Sequence, residues 1–162
     1  MRHLLLGAAL SLSAATAGAS TRGFEWTRVT PAATPQLRFG AAGEDREAFR
    51  LSCGADGTRI LVFVRGAPRG LPAGISTFDT RINLFLGRTE YSLGGQGTRL
   101  ADGNSRLEAL LADVPGFFQA LARQGRLVAV TFAGRTKAPA PDEALVAAFR
   151  ADCAALPPAA PR

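Results

Sequence analysis

Short stretches in which apolar and polar side chains alternate, punctuated by Gly and Pro, run through most of this chain. A period of two sends successive side chains to opposite faces of a strand, so each stretch can bury one face and wet the other. Phe49, Leu51 and Cys53 follow that spacing, and Thr58 to Arg65 continues with a second run rich in β-branched and aromatic residues. The intervening Gly54-Ala55-Asp56-Gly57 is turn chemistry, which predicts a hairpin at the centre of a sheet. Phe24, Trp26 and Arg28 mark an earlier strand, with Trp26 expected in the core. Ile75 to Leu86, Glu90 to Leu93 and Arg126 to Phe132 supply further strands. Parallel doubly wound sheets read as continuous apolar runs, so the alternation favours antiparallel pairing.

The punctuation divides the rest. Pro31 and Pro35 enclose a loop, and Gly66 to Gly74, crowded with Pro and Gly around Arg65 and Arg69, reads as a surface loop. Gly94-Gly95-Gln96-Gly97 reads as a turn without the spacing of a phosphate cradle, and Gly134 to Pro141 as a proline-containing loop. Leu107, Leu110, Leu111 and Val114 suit a strand or a helix over 105–114 equally. Pro115 to Gln124 predicts a helix, because Asp113 can cap it, Pro is tolerated in the first turn and Gly125 stands just past its end. Asp142 and Glu143 open a last helix whose Leu145, Val146, Phe149, Cys153 and Leu156 share one side. The expected fold is therefore α+β, with a mainly antiparallel, sandwich-like sheet and two short helices near the C-terminus. It occupies one domain over 20–156, followed by a flexible Pro/Ala tail at 157–162.

The N-terminus carries its own signal. Met1-Arg2-His3 is a short positive segment, Leu4 to Ala17 is mostly apolar, and Ala17-Gly18-Ala19 is a small-x-small cleavage sequence. Residues 1–19 are expected to be a secretory signal peptide, cut near Ala19 to leave a periplasmic or secreted protein. A bilayer-spanning helix needs about 20 apolar residues. This run is interrupted by Gly7, Ser11, Ser13 and Thr16, so stable membrane insertion is not expected. An oxidising compartment turns an even, isolated pair of cysteines into a disulfide, here Cys53 with Cys153.

Export also narrows the chemistry. His3 lies in the signal segment, so the mature chain offers no imidazole for a Ser-His-Asp triad, a Cys-His pair or a His-ligated zinc. Lys137 is the only lysine and no serine follows Ser105, which leaves little for a Ser-Lys dyad. Asp79, Glu90, Asp102, Glu108 and Asp113 could in principle supply the paired carboxylates of a cell-wall glycosidase. A sugar site of that kind calls for several aromatics, whereas the chain has one Trp and one Tyr, and the acids are more simply partners for the many arginines. Ala101-Asp102-Gly103-Asn104 lacks the spaced acids of a calcium loop. No catalytic residue, cofactor or metal is expected. The net charge of +6 is carried almost wholly by arginine, which is compatible with an acidic envelope component or a protein as partner, although the Ala-, Gly-, Pro- and Arg-rich composition is more simply read as GC-rich coding bias. The arginines are dispersed, without the basic run of a nucleic-acid site. Arg65 and Arg69, in a loop stiffened by prolines, form the candidate contact surface.

From Phe117 to Leu156 the order is a short helix (FFQALARQG), an apolar strand (RLVAVTF), a loop and a terminal helix (AAFRADCAAL). This stretch resembles the C-terminal half of small periplasmic proteins of the invasion-associated locus B type and of VasI-type accessories of type VI secretion. Trp26 and Cys53 resemble the tryptophan-bearing first strand and the strand cysteine of those families. The resemblance implies a small, β-rich, disulfide-bonded, non-enzymatic envelope protein and carries over no functional residue. Phe49-Arg50-Leu51-Ser52-Cys53 with the later Glu90-Tyr91 is also similar to the membrane-bound lysozyme inhibitor fold, which implies an inhibitor as the alternative function. A basic chain is poorly matched to a basic lysozyme, because like charges oppose encounter.

Overall fold

In the computed structural model, residues 22–29, 34–42, 46–54 and 57–156 are described. The expected signal peptide at 1–19, the expected tail at 157–162, Pro31 and positions 55 and 56 lie outside the described residues. β3 (Glu47–Gly54) and β4 (Gly57–Val64) pair as the predicted hairpin, with Phe49 opposite Val62 and Leu51 opposite Ile60. That register puts Phe49, Leu51, Cys53, Ile60 and Val62 on one face, where all are buried. β2 (Gln36–Ala41) extends the same face with Leu37 and Phe39, and β1 (Phe24–Val29) adds Trp26.

On the other side of β4, β7 (Ser105–Leu110) contributes Leu107 and Ala109. Beyond it come β6 (Thr89–Arg99), β5 (Thr77–Leu86), β8 (Arg126–Thr131) and β9 (Gly134–Pro139). The nine strands form one sheet in the order β1-β2-β3-β4-β7-β6-β5-β8-β9, antiparallel at every junction. Trp26 Nε1 donates to the Pro139 carbonyl at 2.8 Å, so side chain and backbone of the two edge strands meet. The sheet is thus curled, and one continuous layer covers both sides of the core. This is how the α+β fold achieves a sandwich-like interior.

Both helices are set by local chemistry. α1 (Val114–Gln124) begins where the Asp113 carboxylate accepts the Gly116 amide at 2.9 Å, and it ends at Gly125, which adopts a left-handed φ of 65°. A glycine takes that conformation without a Cβ clash, which stops the helix and frees β8 to start at once. α2 (Glu143–Ala154) starts where Asp142 accepts the Ala144 amide at 2.8 Å. The ambiguous segment 105–114 resolves as strand β7 followed by the first residue of α1. α1 packs on β5 and β8, and α2 on β1 and β2, so the pair covers the end of the curl marked by the β3–β4 and β5–β6 connections. Phe117, Phe118 and Phe149 are buried there, with the Phe118 and Phe149 ring centroids 6.1 Å apart. The Cys53–Cys153 disulfide, with its Cα atoms 5.6 Å apart, fastens α2 to the centre of the sheet.

Three local expectations are corrected. Gly94 to Gly97 is not a turn; it lies inside β6, the longest strand. A Cβ on Gly95 would strike the Glu108 carbonyl of the next strand, and one on Gly97 would strike the Phe78 ring. Glycine is used here for close approach in a tightly curved sheet, not for reversing the chain. Gly97→Ala should therefore lower stability by about 1–3 kcal/mol, as overpacking does, and a urea midpoint unchanged from the parent would contradict it. Gly134 to Pro139 is a strand and not a loop, and 36–41, for which no element was predicted, is β2. β9 buries only Ala138 and carries Lys137 and Pro139, as edge strands that avoid further pairing commonly do.

Candidate functional site

The end of the sheet opposite the helices is built from the loops that link β4 to β5 and β6 to β7, and from the start of β1 and β3. The first of these loops is held firmly. Arg99 Nη1 donates to the carbonyls of Pro72 (3.4 Å) and Ala73 (3.1 Å), and Nη2 to that of Leu71 (3.4 Å). Ser105, fully buried, donates its hydroxyl to the Gly66 carbonyl at 2.7 Å, while the Gly66 amide donates to Asn104 Oδ1 at 3.4 Å. Arg65 is thereby fixed beside the 100–104 connection.

A cleft of about 260 Å³ opens at this rim, lined among others by Phe24, Arg46, Phe63, Arg65, Asp102 and Asn104. Alternation along β4 places Phe63 on the outer face of the sheet, exposed Arg65 follows just past the strand's end, and the β4–β7 register sets Arg106 directly opposite Phe63. The Arg50 guanidinium stacks 5.4 Å from the Phe63 ring centroid, and that of Arg46 lies 5.9 Å from the Phe24 centroid. Arg106 Nε is buried and has no acceptor, and no carboxylate among the described residues pairs with Arg65 or Arg106.

The nearby acids are occupied. Asp102 turns into its own loop, accepting the Asn104 amide at 3.0 Å and its side-chain NH₂ at 2.7 Å. Glu47, whose side chain is only 4% exposed, joins two arginines: its Oε2 accepts from Arg38 Nε at 3.1 Å and from Arg50 Nε at 3.0 Å, and its Oε1 accepts from Arg50 Nη2. The Arg65 and Arg106 guanidinium groups, unpaired with any carboxylate among the described residues, suit an incoming carboxylate, sulfate or phosphate, which a guanidinium can grip with two parallel hydrogen bonds.

The five acids considered for glycoside chemistry are dispersed. Asp113 caps α1, Asp102 sits in the rim loop, and Glu90 stands near the β5–β6 connection opposite Phe85. Asp79 and Glu108 flank Gln96 on the outer face, two strand spacings or about 9.5 Å apart, and Glu108 is tied to Arg59 at 2.7 Å. Neither lines the cleft. Among the described residues, no three His, Cys, Asp or Glu side chains converge as metal ligands would, and no helix is long and apolar enough to cross a membrane.

Of the two candidate contact residues, Arg65 lines the cleft, and Arg69 lies further along the loop, exposed and outside it. Sequence reasoning missed Arg46, Phe24, Phe63 and Arg106. The period of two could have placed Phe63 beside Arg65 on one face, but only strand pairing brings Arg106 alongside. No protein-family model, curated protein or solved structure matches this chain.

Proposed function

We propose that this protein is exported, processed near Ala19, and recognises an acidic envelope or host component at the arginine rim without turning it over. The observation that carries this is the pair Arg65 and Arg106, unpaired with any carboxylate among the described residues and placed beside the cleft. Uncompensated guanidinium groups on a rigid scaffold attract and orient an anion at little ordering cost. The sequence supports recognition over catalysis, since its one histidine falls at position 3 and its two cysteines are joined. The resemblance of residues 117–156 to small exported accessory proteins points the same way.

A pull-down from envelope extract tests this with the oxidised protein and an R65Q/R106Q variant. The parent should retain an acidic component that the variant loses. Hydrolysis of peptidoglycan or another polysaccharide by the purified protein, abolished by replacing an Asp or Glu, would overturn the proposal in favour of an enzyme.

A further inference from the structure

We infer that the acidic ligand is an anionic polysaccharide, with one charged sugar unit in the rim cleft and its neighbours along a strip of arginines on the outer face of the sheet. This rests on the proposed binding role of the rim and names the ligand class. Four adjacent strands build the strip. Arg106 stands on β7, Phe63 on β4 with Arg65 just past its end, Arg50 on β3 and Arg38 on β2, with Arg38 directly opposite Arg50. Strands lie about 4.8 Å apart, so the strip extends for about 14 Å. A single small anion bridges neighbouring guanidinium groups but cannot span that length. A chain with repeated charges can.

Glu47 does not close the strip. It accepts from one nitrogen of Arg38 and two of Arg50, whereas each guanidinium carries five N–H donors, so both retain donors for a ligand. The cleft volume of about 260 Å³ is just below the range of small-molecule pockets, about 300–1,000 Å³, and suits one sugar-sized unit.

Two other polyanionic surfaces fit less well. A bilayer surface is gripped by apolar side chains that enter it, but on this strip Leu61 is buried and Phe63 is half-buried under Arg50. Single-stranded nucleic acid needs open aromatic faces for base stacking, and arginines already lie over both cleft rings, Arg50 on Phe63 and Arg46 on Phe24.

The experiment is titration of the oxidised protein by calorimetry with polygalacturonate. Galacturonate monomer, dextran, single-stranded DNA and phosphatidylglycerol vesicles serve as comparison arms. Polygalacturonate should bind in a salt-sensitive manner, the monomer about 100-fold more weakly or worse, and dextran not at all. R65Q/R106Q should weaken polymer binding by at least about tenfold, while R123Q/R150Q, the same charge change among the helices at the other end, should alter it by less than about twofold. Thermal melts of both variants close to the parent's confirm that folding is intact. Equal losses in the two variants would reduce the effect to net charge and overturn the inference, as would tighter binding of DNA or vesicles. If polygalacturonate fails to bind while an envelope component is still captured by the parent and lost by R65Q/R106Q, the polysaccharide inference falls and the broader binding role stands.

Discussion

Reducing the Cys53–Cys153 bridge is expected to lower the unfolding free energy by about 3–5 kcal/mol. The sequence separation is 100 residues, and for a closed loop of that size the chain-entropy account gives about 4.7 kcal/mol. The location adds to the effect. Cys53 faces the core near the β3–β4 turn, and α2 otherwise leans on β1 and β2 through one fully buried side chain, Phe149. Without the bridge, α2 should be the first element to lose hydrogen-exchange protection, followed by β1, which depends on its contact with α2. For a domain of this size the loss corresponds to a melting temperature lower by about 10–15 °C. Scanning calorimetry of the parent with and without reductant, beside a Cys53→Ser/Cys153→Ser variant, checks it. Reductant should bring the parent down to the variant and leave the variant unmoved; a parent indifferent to reductant would refute the clasp.

The second large effect belongs to Glu47. Its carboxylate is buried between Arg38 and Arg50, which sit directly opposite each other on β2 and β3. Like charges facing across an antiparallel pair are destabilising, and a buried ion that loses its partner costs about 3–5 kcal/mol. The two arginines are about a quarter exposed, so solvent absorbs part of this. Glu47→Gln should cost about 2–4 kcal/mol by denaturant titration, and adding Arg50→Met should recover part of it by removing one of the two charges. Equal stability of Glu47→Gln and the parent would mean that the cluster is only a solvated surface contact.

How much of this was legible beforehand follows from where each signal resides. The β3–β4 hairpin was readable because its alternation, its β-branched content and its Gly turn agree within one short segment. α1 was equally plain, since Asp113, Pro115 and Gly125 mark its two ends in the local sequence. β6 was misread because Gly94, Gly95 and Gly97 favour a turn locally, whereas Gly95 and Gly97 serve to admit Glu108 and Phe78 from neighbouring strands. β9 was misread because an edge strand with a single buried residue has no apolar pattern to show. The disulfide needed only the count of cysteines and the compartment.

The site was only half legible. A Pro/Gly-rich loop marked Arg65, and Phe63 lies two residues before it, but Arg46 and Arg106 are distant in sequence, and only the β4–β7 register sets Arg106 opposite Phe63. Charge dispersed along a chain can thus be gathered on one face of a sheet.

Backbone amide mapping by NMR, with polygalacturonate titrated into the oxidised protein, tests the polysaccharide account of the arginine rim most directly. Shifts should concentrate in residues 37–39, 46–50, 63–66 and 98–106 and spare both helices. Shifts centred on the groove between α1 and α2, or a spectrum that does not change at all, would contradict it.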